Sequence, residues 1–262
     1  MESEVTSHET YQKCFNSKLF LNTYFCENGI AFTNGYIKFV MENMHKAFTS
    51  DGVQGDTLLD ICIFPILSHL YPACNSFKEI ITTNFLEQNR QEIESWLKNE
   101  KGAFDWSATM KLICELEGNR DTEPELEAKL RKKIKCVLKS DVTQNNPLDP
   151  LVQPAVDCLI TCLCLEFACK DKDTFCCALN NISSMLKQGG YLILVGALGC
   201  TDYMLGERKF FTLSLDKEFL EKVIPECGYD ILQLQTLIIP NPDPQSIATY
   251  KGYFFILARK QA

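Results

Sequence analysis

Apolar positions change period along the chain, and the changes mark its elements. Ile37, Val40, Met44 and Phe48 recur at helical spacing and predict an amphipathic helix, ended by Ser50, Asp51 and Gly52. Upstream, Thr6 to Glu9 fit a capping box with Thr6 as the cap, and a short helix through Tyr11 and Phe15 follows. Asn16 can cap a second helix over Ser17–Phe25. Nothing before residue 53 alternates as a strand does, so residues 1–52 read as a helical cap and residues 53–262 as an α/β core within a single domain. In the core, short apolar runs predict strands at Thr57–Ile63, Phe77–Asn84, Val137–Val142, Val156–Cys164 and Tyr191–Ala197. Tyr229–Ile239 and Tyr253–Ala258 follow around a proline-rich loop at Pro240–Pro244. Pro65 suits the first turn of a helix that Pro72 ends early. Further helices are predicted over Leu86–Asn99, Met110–Leu116, Glu123–Lys135, Asp173–Leu186 and Asp216–Cys227, the fourth closed by Gly189 and Gly190. Strands alternating with helices imply a mostly parallel sheet. The last two strands, with no helix between them, should be antiparallel.

The stretch Leu58–Pro65 carries the main contradiction. A buried strand feeding a helix is the frame of a nucleotide-type site in α/β folds, where the turn uses glycines for positive φ and close backbone approach. Here the turn is Cys62, Ile63 and Phe64. A β-branched residue and an aromatic one cannot stand in for glycine without strain or occlusion.

Composition narrows the function. The net charge of −8 disfavours nucleic acid and anionic membranes as partners. The polar, acidic start has no signal-peptide pattern, and no apolar run reaches the ~20 residues that span a bilayer. A cytoplasmic protein is expected, with its 14 cysteines as mostly buried thiols and no disulfide. Cys158, Cys162 and Cys164 share a parity and should line one strand face. With no Cys-x-x-Cys pair nearby, no metal site is expected. His8, His45 and His69 lie far apart in sequence and do not suggest a histidine-based catalytic centre.

Seven blocks, in this order, carry a resemblance over almost the whole chain: Ser76–Ile80, Ala103–Ser107, Glu115–Arg120, Ser140–Gln144, Cys162–Glu166, Lys187–Tyr191 and Tyr203–Glu207. The chain resembles the small-molecule methyltransferases that include the nicotinamide, indolethylamine and phenylethanolamine N-methyltransferases and thioether S-methyltransferase. It is most similar to the first two. The resemblance implies a class I methyltransferase (Rossmann-like) fold, a seven-stranded sheet with helices on both faces. It implies S-adenosylmethionine as cofactor, a small-molecule partner and a monomer. Methyl transfer would be direct and in line, so no catalytic nucleophile, acid or base is expected on the protein.

Residue by residue, the resemblance implies a cofactor site at Tyr11, Asp60, Asn84, Asn89, Asp141 and Val142, and an acceptor site at Tyr203 and Thr212. The departures converge on the same pocket. The family's glycine turn is Cys62–Phe64, and its ribose-binding aspartate is Asn84. Two lid tyrosines are Phe20 and Phe25. Glu166 and Gly196 stand where the family has acceptor-facing aspartates. Together they predict a fold-retaining pseudoenzyme with weakened or lost S-adenosylmethionine binding, in a small-molecule-binding or structural role. The alternative is an active N-methyltransferase acting on a small amine or pyridine. A cysteine-rich redox or metal protein is the third reading, and little in the sequence supports it.

Overall fold

The computed structural model describes residues 5–118, 120–240 and 246–262. Four helices come first: α1 (His8–Cys14), α2 (Ser17–Tyr24), α3 (Ile30–Thr33) and α4 (Tyr36–Phe48). Asn16 caps α2 as expected, accepting from Leu19 N at 2.9 Å. The cap of α1 is Ser7, not Thr6. Thr6 is drawn off by long-range pairing: its N–H donates to Phe211 O (3.0 Å) and its hydroxyl accepts from Phe211 N (2.7 Å).

The core begins with β1 (Gly55–Cys62), a 3₁₀ segment (Ser68–Asn75), β2 (Phe77–Asn84) and α5 (Glu87–Leu97). Then come α6 (Ser107–Leu116), α7 (Glu123–Lys133), β3 (Ile134–Lys139) and β4 (Val156–Cys162). They are followed by α8 (Leu165–Ala168), α9 (Lys172–Ser183), β5 (Leu186–Leu198), β6 (Asp202–Leu205), β7 (Arg208–Phe211) and α10 (Lys217–Glu226). The chain closes with β8 (Tyr229–Ile238), β9 (Ala248–Thr249) and β10 (Gly252–Lys260). The main sheet has seven strands in the order β3-β2-β1-β4-β5-β10-β8. β10 is antiparallel to both neighbours, and the remaining pairs are parallel. From β1 the chain winds to one edge, and from β4 it winds to the other, so the crevice between these two strands is the switch point where α/β sheets bind ligands.

Several boundaries differ from the sequence expectation. The helix expected after Pro65 is a 3₁₀ segment with Pro72 inside it, because proline lacks the N–H that an α-helix interior needs. The third strand ends at Lys139, which puts Asp141 and Val142 in a turn. There the Asp141 carboxylate accepts from Thr143 N at 3.0 Å and Asp141 N donates to Pro147 O, so the backbone leaves the ladder. β5 already begins at Leu186 and carries Gly189 and Gly190 within it; a register shift opposite Val156 and Cys158 absorbs Gly189 at φ 71°. β4 stops at Cys162, and Leu163 turns to φ 47°, so Cys164 leaves the face shared by Cys158 and Cys162. A second sheet, β7-β6-β9, lay outside the expectation. Residues 241–244 of the proline-rich loop lie outside the described residues, as does residue 119 of the Glu115–Arg120 block. Among the described residues, no helix is long and apolar enough to cross a membrane.

Candidate functional site

The turn after β1 is closed by its own side chains. Phe64 is 1% exposed. Its ring stacks on Phe20 of the cap (centroids 4.1 Å apart, planes at 15°) and meets Phe167 edge-on at 4.9 Å. Phe15 and Tyr203 complete the cluster at 5.6 and 5.9 Å. The two turn carbonyls are engaged as well. Asn89 Nδ2 donates to Ile63 O (2.8 Å), and Asn84 Nδ2 donates to Phe64 O (3.1 Å). Asn84 Oδ1 accepts from Leu86 N (3.1 Å) and Asn89 Nδ2 (3.0 Å). Ser17 of α2 donates to Asn89 Oδ1 at 2.5 Å. Asn84 and Asn89, both wholly buried, are thus brought together, but toward the turn backbone. The amide at position 84 donates to Phe64 O while accepting from Leu86 N, which an ionised aspartate cannot do, and this gives a local reason for asparagine there.

The helical cap is locked over this turn. Tyr203 donates to the Tyr11 hydroxyl at 3.1 Å and stacks on Phe210. Burial pushes both phenols well above their usual range, so they stay neutral donors. Tyr24 donates to Met204 O at 2.6 Å. Thr212 donates to Cys200 O at 2.9 Å and lies outside the cavity that Tyr203 lines. That cavity, about 60 Å³ in volume, is walled by Phe20, Phe25, Tyr36, Phe64, Phe167 and Tyr253 among others. The hydroxyls at its margin are satisfied elsewhere: Asn34 Nδ2 donates to both Tyr250 (2.9 Å) and Tyr253 (2.6 Å). The cavity therefore offers an apolar surface.

Asp141 and Val142 line a second space of about 10 Å³ together with Cys62, Ile63, Ser140 and His8, whose ring packs 4.5 Å from Phe85. Asn181 Nδ2 donates to Val142 O at 3.0 Å, fixing the turn from α9.

Glu166 and Gly196 form a coupled pair. The Glu166 carboxylate accepts from Ala197 N at 2.9 Å, and burial raises its pKa to about 7. A Cβ on residue 196 would come within 2.5 Å of Glu166 Oε1 and 2.6 Å of the Phe254 ring. The longer acid at 166 thus occupies the space a side chain at 196 needs.

Asp60 stands apart from the other expected cofactor residues and lines neither cavity. Its Oδ1 lies 2.7 Å from His69 Nε2 and its Oδ2 accepts from Thr82 at 2.7 Å, all wholly or almost wholly buried. Sequence spacing missed His69, because an isolated histidine in an irregular segment carries no periodic signal.

Solved structures of similar shape define the class. The chain superposes on magnesium protoporphyrin IX methyltransferase from Synechocystis, with S-adenosylmethionine bound, at a TM-score of 0.60 and 8% identity, covering 97% of this chain and 94% of that one. It also superposes on an N-methyltransferase from Bradyrhizobium japonicum in complex with S-adenosyl-L-homocysteine, at a TM-score of 0.52 and 10% identity, covering 96% and 95%. The fold is that of the class I methyltransferases. Sequence comparison is more specific. The model of the NNMT/PNMT/TEMT family matches residues 2–261. Human nicotinamide N-methyltransferase is 43% identical over 99% of this chain and 98% of its own, and rabbit (Oryctolagus cuniculus) indolethylamine N-methyltransferase 42% over 100% and 99%. The chain belongs to the NNMT/PNMT/TEMT family.

Proposed function

We propose that this protein keeps the family's fold without using S-adenosylmethionine, and that it acts as a small-molecule-binding or structural protein. The observation that carries this reading is the filled turn: Phe64 packed among Phe15, Phe20, Phe167 and Tyr203, with the Ile63 and Phe64 carbonyls taken by Asn89 and Asn84. The remaining space supports it. An apolar cavity of about 150 Å³ takes up benzene. S-adenosylmethionine, with its adenosine and methionine halves, is several times larger than benzene, and the spaces that Tyr203 and that Asp141 and Val142 line are about 60 and 10 Å³. The residues present do not fit that group, so no step is routed through it. Small neutral apolar molecules match the remaining cavity better than cationic amines, since its margin hydroxyls are already bonded.

A second reading is an active S-adenosylmethionine-dependent N-methyltransferase acting on a small amine or pyridine. What favours it is the 43% identity to nicotinamide N-methyltransferase across nearly the whole chain. It requires Phe64 to leave its stack. Calorimetric titration of S-adenosylmethionine into the purified protein separates the two. No saturable heat is expected, and binding in the low micromolar range would overturn the first reading.

A further inference from the structure

A larger space lies away from the blocked turn, where the helical cap meets the core. It has a volume of about 360 Å³ and is walled by α2, α5 and residues 102–108, which lead into α6. That volume is in the range of small-molecule pockets. None of the residues lining it lines either cavity at the turn. Lys18 and Asn22, one turn apart on α2, form one wall. Ala103 and Phe104 form an apolar one, and the half-buried Phe104 ring is set edge-on against Trp106 at 4.7 Å.

Glu92 of α5 is the deepest acid in this space. It is 7% exposed, and its Oε1 has no hydrogen-bond partner among the described residues. Lys18 Nζ stands 4.0 Å from Oε2, beyond hydrogen-bond distance, and donates instead to Gly102 O at 3.2 Å. A buried carboxyl group left without partners is costly, so packing alone does not account for an acid here. The ammonium of Lys18, drawn toward this carboxyl, shows which chemistry the position attracts. That side chain is 62% exposed and held by an ion pair of this weak kind, so it can swing into solvent. Glu27 and Asp105, both exposed, stand at the rim, which sets three acids against one base. The acids do not converge on a point: among the described residues, no group of three or more histidine, cysteine, aspartate or glutamate side chains is placed to hold a metal ion. Acids spread around a pocket suit an elongated cation charged at both ends.

We propose that this space binds a small aliphatic diamine as its diammonium ion, with one end on Glu92 and the other toward Glu27 and Asp105. The leading ammonium displaces that of Lys18 and donates to the Glu92 carboxyl group, a charge-assisted bond that is stronger than a neutral one. The methylenes lie along Ala103 and Phe104, whose ring face also attracts a cation. An unbranched stem is needed, because the acid it must reach is nine-tenths buried. A monoamine leaves the rim acids unanswered, and a diol of the same length brings no charge to any of the three. The site also touches the cap: Ser17, the neighbour of Lys18, donates to Asn89, whose amide holds Ile63 O. A ligand that joins α2 to α5 therefore tightens the same contact that closes the turn.

The test titrates the full chain calorimetrically with putrescine, butylamine and butanediol at low ionic strength, where exposed charges are least screened. Alkylation of Cys26, which lines the space and is partly exposed, reports the location, with exposed Cys177 as the internal reference. Putrescine should bind about tenfold more tightly than butylamine, since each charge-assisted bond is worth about that factor, and butanediol should give no saturable heat. Putrescine should slow alkylation of Cys26 and leave Cys177 unchanged. Glu92→Gln should weaken putrescine about tenfold or more. Lys18→Ala should strengthen it severalfold by removing the competing ammonium. If Glu92→Gln does not fold, the protection of Cys26 and the Lys18→Ala variant decide the matter. No saturable putrescine binding, undiminished affinity in folded Glu92→Gln, an unprotected Cys26, or weaker binding in Lys18→Ala overturns the assignment.

Discussion

Replacing Phe64 with alanine tests whether the turn is a packed hub. The ring is buried at 1% exposure and touches four aromatic neighbours from three regions of the chain. Deleting a buried phenylalanine side chain costs about 3–5 kcal/mol through lost transfer energy and the cavity left behind. Its two nearest ring pairs, at 4.1 and 4.9 Å, each add ~0.5–1.5 kcal/mol beyond area. The loss should therefore fall in the upper half of that range, about 4–5 kcal/mol, or roughly 10–15 °C in Tm for a chain of this size. Urea unfolding followed by circular dichroism measures it, with the slope against denaturant unchanged. The vacated space joins the cavity of about 60 Å³ that Phe64 lines. Benzene should then stabilise the variant, by about 2.7 kcal/mol at a hundred times its Kd, and leave the wild type unmoved. A loss below about 1 kcal/mol, or equal stabilisation of both proteins by benzene, would refute the hub and the filled site with it.

Three further outcomes follow from the same contacts. Asn84→Asp should not restore S-adenosylmethionine binding and should cost about 1–3 kcal/mol, since Phe64 O loses its donor and faces a carboxylate; thermal denaturation with and without the ligand checks both points. Burial alone would lower the pKa of His69, but the Asp60 carboxylate outweighs it and the value rises from 6.5 to about 10. The stabilisation is thus fully present below pH 6.5 and is lost as pH rises through 10, so Tm should fall across that window, and a folded His69→Gln variant should show a flatter profile. Gly196→Asp should destabilise strongly, because its Cβ meets Glu166 Oε1 at 2.5 Å; adding Glu166→Asp should recover part of the loss, and a double-mutant cycle with additive effects would deny the coupling.

The order of elements was legible in the sequence because it rests on local periodicity. The strand at Phe77–Asn84 and the antiparallel pair at the C-terminus stand as read, the helices expected before residue 53 are found there, and the run read as Thr57–Ile63 is a strand over Gly55–Cys62. The obstructed turn was legible too, since a glycine position filled by Phe64 needs no coordinates to be noticed. Boundaries set by capture of backbone groups were not. Thr6 gave up its cap to pair with Phe211, 205 residues away, and Asp141 left the third strand because its carboxylate bonded to its own turn. Nor could sequence place Asp60. The family resemblance marks it as a cofactor residue, but a 3₁₀ segment without periodicity carries His69 onto it. The Glu166–Gly196 exchange reads as two losses in sequence and as one swap in space, because only tertiary structure brings the two positions within van der Waals reach. Hydrophobic periodicity fixes which face of each element is buried. Which polar groups meet once buried depends on how those faces are stacked, and the chain alone does not carry that information.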